Sequence, residues 1–556
     1  MNDKSKNPQF IKAKPIGGFH GVSAIFPNFN DIIDYEEGNI ILNRGYPRFV
    51  THPFVRRVEN NYKTKYNAVE ALCCQSFESA IFLIFDHFIS KGRKFFVGDG
   101  LPIRFFEFFN QKFPGIIIKS DITEAEIIFI NEDQWKDNIK SPNNIIIGII
   151  ENDIEDLKEP SKKFDIIIHH DRKNDIGIII FNNDIHEDIV LIRRHSGIIA
   201  SSRKICKARE ASREAYEKSE NNLKLNLSKL EKMDSNNCFL YPSGMAAVFS
   251  AIYSLISPDN SRFIALGALY VDTIRILEKW PQKYGINETL FIQSNFETEL
   301  KKNIDNNTAG IIFEVPSNPL IQVLDIKKIV SIAHNNDVKV IIDNTIATPY
   351  NLNPLDYDVD IIVHSTTKFL NGKNNHIGGA LLTSDKEIKK EIKILRKIMN
   401  LNMAFDDIRT LTRNLKVFEN RMKKINQNSL EIANYLSNHP SVKRVYYPFL
   451  KTDSNYKIAK KYLKGGSGLI SFTLNNSTME NAERFYNNIK KPILKGPSLG
   501  SEKTLLSPYV IMAHFNDPIE KLIQMGFDFY LIRISVGIEP VDKIIKCLNH
   551  ALDSLN

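Results

Sequence analysis

The chain has 556 residues, more than one hydrophobic core supports, which suggests roughly two to four domains. Its composition is that of a globular protein, 43% hydrophobic and 25% charged, and the net charge of +8 is spread without any basic block interleaved with aromatics. That argues against a nucleic-acid partner and suits anionic ligands only loosely.

The five cysteines (Cys73, Cys74, Cys206, Cys238, Cys547) are odd in number and lack CxxC spacing. They fit a reducing cytoplasm rather than a disulfide framework or a zinc site. The opening MNDKSKNPQF has no apolar h-region, and no apolar run approaches the length of a membrane span. The sequence therefore predicts a soluble cytoplasmic protein with no metal and no membrane partner.

In chain order, residues 1–60 are rich in proline and glycine and read as an extended arm, with Gly45-Tyr46-Pro47-Arg48-Phe49 within it. Residues 61–203 alternate strand-like and helical segments (FFVGDG, GIIIKS, AEIIFIN, NNIIIGII, FDIIIHH, IGIIIF), the pattern of an α/β unit. This unit looks like a worn copy of a later one. Phe164–Phe181 runs parallel to VDIIVHSTTKFL…IGGALL, with Asp165 matching Asp360 and Lys173 matching Lys368, both 195 positions apart. In the copy Gly148 falls opposite Asp343, while His170 and Arg172 replace Ser365 and Thr367. It is expected to be non-catalytic, with Lys173 a solvated lysine at a strand end.

Residues 204–236 are charged and free of Gly and Pro, as in an exposed helix, and they open a third unit over 204–427. Tyr241-Pro242-Ser243-Gly244-Met245 leads into an amphipathic helix carrying Val248, Ala251, Ile252 and Leu255. Small residues ahead of a helix N-terminus, with its free N–H groups and positive dipole end, suit a phosphate. The runs Val338–Ile342 and Val359–Val363 read as buried parallel strands ending at Asp343 and just before Ser365-Thr366-Thr367-Lys368. Strand carboxyl ends line the ligand crevice of an open α/β sheet, so Asp343 and Lys368 are expected in one cleft. An acid for a pyridinium nitrogen and an amine that condenses with an aldehyde are what pyridoxal phosphate chemistry needs. From about 428 to 556 the pattern changes to a smaller α/β domain.

Together Asp343-Asn344-Thr345, Ser365-Thr366-Thr367-Lys368, Asn371-Gly372 and Gly378-Gly379 resemble the cystathionine γ-synthase-like family of PLP-dependent cysteine and methionine metabolism enzymes. With LLSPYVIMAH and the long N-terminal region, the look is nearest the long fungal-type cystathionine γ-synthases. The resemblance implies a fold type I large domain, α/β with a mainly parallel sheet between helices, and a smaller C-terminal α/β domain.

It also implies roles. Lys368 would carry pyridoxal 5'-phosphate and move protons, Asp343 would hold the ring nitrogen, and Tyr270 would stack on the ring and serve the chemistry. Asn318, in Glu-x-Pro-x-Asn-Pro, would bind the phenolic oxygen. Ser243, Gly244, Met245, Ser365 and Thr367 would cradle the phosphate, with Tyr46 and Arg48 reaching it from the arm, Tyr46 also near the chemistry. Arg533, Ser498 and Arg275 would bind substrate, Arg533 gripping its α-carboxylate. Family members often carry Gly-Val-Glu-Ser where this chain has Ser501-Glu502-Lys503-Thr504, in a loop that helps to select substrate.

The implied activity is γ-replacement forming cystathionine from an O-acyl-homoserine and cysteine. Alternatives are a cystathionine γ- or β-lyase, an O-acyl-homoserine sulfhydrylase, or a PLP-binding regulatory or scaffold protein of low turnover. Substrates would be small amino acids, and the protein a homo-oligomer (dimer or tetramer) or an intrachain pseudo-dimer.

Overall fold

The computed structural model describes residues 8–11, 13–42, 51–89, 93–98, 108, 118–119, 122–135, 139, 144–151, 163–206, 211–257, 262–283 and 288–555. The arm supplies four short strands, β1 (Gln9–Ile11), β2 (Lys14–Ile16), β3 (Ser23–Ile25) and β4 (Ile40–Leu42), with the helix Phe29–Glu36 between the last two. It is not simply extended. Phe29 and Ile32, one helical turn apart, are fully buried with Phe26 against the C-terminal domain. There the Phe29 N–H donates to Asn487 Oδ1 at 2.9 Å, and Tyr486 Oη donates to the Phe26 carbonyl at 3.0 Å.

Two seven-stranded sheets follow. The first contains β5 (Glu70–Cys74), β6 (Phe95–Val97), β7 (Ile118–Lys119), β8 (Ile127–Asn131), β9 (Ile145–Ile150), β10 (Ile166–Asp171) and β11 (Ile176–Phe181), in the order β5-β11-β10-β9-β8-β6-β7. The second contains β12 (Cys238–Tyr241), β13 (Arg262–Leu266), β14 (Leu290–Ile292), β15 (Thr308–Glu314), β16 (Lys339–Asp343), β17 (Ile361–Ser365) and β18 (Gly379–Leu382), in the order β12-β18-β17-β16-β15-β13-β14. Counted along the chain the two orders are the same. In each sheet one strand, β11 or β18, runs against the other six. The Ile- and Val-rich strands are buried on both faces, as parallel strands between helical layers must be.

The sheet register corrects the alignment of the two units by one position. Ile149 pairs with Ile168 where Asp343 pairs with Val363, so Ile149 rather than Gly148 is the counterpart of Asp343. The stretch expected as one exposed helix over 204–236 forms helices Ser202–Ile205 and Arg213–Leu230, and Leu223 and Leu227 of the second are buried. Helix Gly244–Leu255 departs from the expected amphipathic pattern. Met245 to Ser254 are all buried, because the outer face lies against helices Phe77–Ile89 and His186–Ser196 of the first unit.

The smaller domain holds β19 (Val442–Tyr446), β20 (Leu469–Leu474), β21 (Leu494–Lys495), β22 (Leu505–Pro508) and β23 (Ile532–Ser535), in the order β19-β20-β23-β22-β21. Helix Phe418–Ser437 runs unbroken through position 428 into this domain. All five cysteines are unpaired. Among the described residues no helix is long and apolar enough to cross a membrane.

Candidate active site

The carboxyl ends of β15, β16 and β17 open onto one cavity at the junction with the smaller domain. Asp343 and Glu314 end neighbouring strands and pair in register there, and Lys368 follows the end of β17 by three residues. Ser243, Gly244, Met245, Tyr270, Asn318, Ser365 and Arg533 line the same cavity, and Val248, Ile346, Pro497 and Leu499 give it apolar walls.

One end of the cavity is built by a helix N-terminus. Ser243 caps helix Gly244–Leu255, its Oγ accepting the Ala246 N–H at 3.0 Å while donating to the Gly197 carbonyl at 2.8 Å. With the Ala246 N–H taken by the cap, the N–H groups of Gly244 and Met245 are the ones at this end suited to an anion. Position 244 must be glycine, since a Cβ there would lie 2.6 Å from the Ser365 Cβ. The Thr367 hydroxyl bonds Gly378, accepting that residue's N–H at 3.1 Å and donating to its carbonyl at 3.3 Å.

Asp343 Oδ1 accepts the Thr345 N–H at 2.9 Å, and the Thr345 hydroxyl accepts the Ser365 N–H at 2.8 Å, which ties the two strand ends together. Burial raises the Asp343 carboxyl above its ordinary range. A buried acid of this kind gains from a cationic partner such as a protonated ring nitrogen. Glu314 beside it is pushed up further, by burial first and then by the Asp343 charge. Its two oxygens accept the N–H groups of Tyr270 at 2.6 Å and Asn318 at 3.2 Å, so one carboxyl positions two other cavity residues. The sequence reading quoted Glu314 within Glu-x-Pro-x-Asn-Pro and Thr345 beside Asp343 without giving either a role. Tyr509, which accepts from Asn318 Nδ2 at 3.3 Å, stood within the quoted LLSPYVIMAH without a role, because it lies 191 positions from its partner.

Lys368 Nζ donates to Ser498 Oγ at 3.3 Å. Arg533 is buried, donating from Nη1 to Asn318 Oδ1 at 3.0 Å and from Nη2 to the Pro497 carbonyl at 2.7 Å, 4.7 Å over the Tyr509 ring. Its Nε is buried without a hydrogen-bond partner, a donor suited to a carboxylate. Arg275 is outside the cavity lining, its guanidinium held by Glu278 at 3.1 Å and Asp517 at 2.5 Å. None of residues 501–504 lines the cavity either. Glu502 faces Arg421 at 3.6 Å, Lys503 is exposed, and Thr504 Oγ1 donates to Glu539 at 2.9 Å. Tyr46 and Arg48 lie outside the described residues.

A lysine amine, an acid for a ring nitrogen, an anion-binding helix end and a buried arginine are the fittings that pyridoxal phosphate and an amino acid require, and these residues fit the cofactor. The comparisons agree. Residues 181–553 match the family model described as Cys/Met metabolism PLP-dependent enzyme. The chain is 33% identical over 317 residues to a Bacillus subtilis cystathionine gamma-lyase, covering 57% of this chain and 82% of that protein. It is 35% identical over 316 residues to a Lactococcus lactis cystathionine beta-lyase, covering 57% of this chain and 81% of that one. The Campylobacter jejuni structure named for an O-acetylhomoserine (thiol)-lyase, which carries N'-pyridoxyl-lysine-5'-monophosphate, is similar at 28% identity and a TM-score of 0.56, covering 60% of this chain and 86% of that chain. The family match spans most of the sequence, including every cavity-lining residue above, and on it we conclude that the chain belongs to the Cys/Met metabolism PLP-dependent enzymes.

Proposed function

We propose that the chain is a carbon–sulfur lyase acting on cystathionine-type amino acids, releasing a thiol, ammonia and a keto acid. The observation that carries this reading is the convergence of Lys368, Asp343 and Arg533 on one cavity, together with the names of the relatives at 33% and 35% identity. Arg533 would take the substrate α-carboxylate at its unpartnered Nε, with Asn318 steadying the guanidinium. That holds Cα towards the Lys368 amine, which takes up the Cα proton and returns protons later in the cycle. Bound pyridoxal phosphate supplies an electron sink for negative charge at Cα and Cβ. Asp343 would keep the ring nitrogen protonated, and Tyr270, which lines the same cavity, would stack on the ring. Gly244, Met245 and Ser365 would hold the phosphate, with Ser243 capping the helix that presents it, and the apolar wall of Val248, Ile346 and Leu499 would exclude water.

A second reading, γ-replacement of the acyl group of an O-acyl-homoserine by cysteine to give cystathionine, is supported by the likeness to the Campylobacter jejuni structure. Both use the same residues and differ in the fate of the unsaturated product. Purified protein loaded with the cofactor should therefore show a visible absorbance band and convert cystathionine to a thiol, ammonia and keto acid. Cystathionine formed only from O-acyl-homoserine plus cysteine would select the second reading. Lys368→Ala should abolish the band and lower turnover by about 10³-fold or more; a variant that keeps both would sink the assignment.

A further inference from the structure

The two seven-stranded units share strand order and also register. Tyr241 and Ser365 flank Gly379 across β18, as Cys74 and His170 flank Gly177 across β11. The turn after β12, Pro242-Ser243-Gly244, thus corresponds to Gln75-Ser76-Phe77 after β5, and each serine caps the helix that follows.

The contacts between the units repeat in both directions. Ser243 Oγ donates to the Gly197 carbonyl, at the end of helix His186–Ser196 of the first unit. Ser76 Oγ donates at 2.9 Å to the Met399 carbonyl, at the end of helix Lys386–Met399 of the second. Phe82 and Phe249, each sixth in its helix counting from the cap, are both fully buried and meet with ring centroids 5.7 Å apart. A residue in contact with its own counterpart, flanked by reciprocal contacts, marks an isologous two-fold interface, here closed inside one chain.

The counterpart of the cofactor cavity in the first unit is filled by its own side chains. Phe77 stands where the second unit requires Gly244, and its ring stacks on His170, the counterpart of Ser365, at 4.9 Å and 14°. Glu78 replaces Met245 and brings a carboxylate to the helix end that would receive a phosphate. Ile149 replaces Asp343, and Lys173, the counterpart of Lys368, is exposed. In the other direction the first unit touches the working cup closely. A Cβ on Gly197 would collide with Ser243 Oγ and lie 2.7 Å from both the Ala246 nitrogen and the Met245 Cβ.

We propose that the unit spanning residues 70–206 is a built-in second subunit that cannot take a cofactor itself and positions the catalytic phosphate cup through Gly197, so that each chain binds one pyridoxal phosphate. The inference rests on the cofactor site assigned above. Apoprotein should titrate with pyridoxal phosphate to one equivalent per chain, and borohydride trapping with peptide mapping should label Lys368 alone. Two equivalents, or label on Lys173, would overturn the proposal. Uptake of no cofactor would overturn the site itself, and this inference with it.

Equilibrium dialysis of pyridoxal phosphate against variants separates positioning from general packing. Gly197→Ala should weaken binding about tenfold, because the neighbouring cup has no slack. Ser76→Ala, which removes the reciprocal contact on the filled side, should leave binding unchanged. Equal effects of the two substitutions, or none from Gly197→Ala, would also overturn the proposal.

Discussion

Two carboxyls end neighbouring strands in the cavity, and their environments set a trade between stability and function. Asp343 and Glu314 both bind a proton more tightly in the folded chain than in the unfolded one, because burial disfavours their charge. For a group raised in this way, the stabilising contribution is complete below the unfolded value, about 4, and is lost as pH rises through the folded value. The apoprotein should therefore lose stability on going from acid to neutral pH, and Asp343→Asn should recover part of that loss. On the function proposed above the same variant lacks the partner of the ring nitrogen, so its turnover should drop by about 10²-fold or more. Denaturant midpoints of both apoproteins at pH 5 and pH 8, with turnover of the loaded enzymes, check this. If Asp343→Asn destabilises the apoprotein at pH 8 as well, the burial argument is wrong.

Among the elements, the one least visible in the sequence is the N-terminal arm, whose prolines and glycines conceal one amphipathic turn. Phe29 and Ile32 are buried in the C-terminal domain, with Tyr486 and Phe485 beneath them. Phe29→Ala should cost about 3–5 kcal/mol of docking free energy, as for a large aromatic removed from a packed core. Limited proteolysis checks it: the variant should be cut within the first 60 residues while the cofactor-binding units stay intact, and a digestion pattern like that of the unaltered chain would refute the docking. The contrast with the cavity shows what sequence can carry. The meeting of Asp343 and Lys368 in one cavity is legible because strand ends point at the crevice by construction, and the Ser243 cap before Gly244 because a helix cap is local chemistry. The surroundings of Thr367 and Arg275 are not legible in that way, because their partners lie elsewhere in the chain. Gly378 takes the hydroxyl of one, and Asp517, far along the chain, takes the guanidinium of the other. The all-round burial of helix Gly244–Leu255 was hidden for a similar reason, its outer face being covered by the other unit.

At the scale of the whole molecule, the arm, the first unit and the catalytic unit meet around His20. Its Nδ1 shares a hydrogen bond of 2.9 Å with Ser202 Oγ, and beside it Arg203 donates to the Asn375 carbonyl at 2.8 Å and pairs with Asp407 at 3.4 Å. Burial first, then the Arg203 charge, lowers His20 to about 4, with His52 acting in the same direction and Asp407 and Asp406 opposing. A histidine lowered on folding contributes stability that is complete above its unfolded value of about 6.5 and is lost as pH falls towards the folded value. The three-way junction should therefore loosen between pH 7 and pH 5, by about 1 kcal/mol once the partial exposure of the residue is discounted. His20→Gln keeps a side chain able to hydrogen-bond Ser202 and removes the titration. Its urea midpoint should be flatter than that of the unaltered chain over this interval, with the difference concentrated near pH 5. Parallel pH profiles for the two proteins would mean that the junction does not depend on a neutral imidazole.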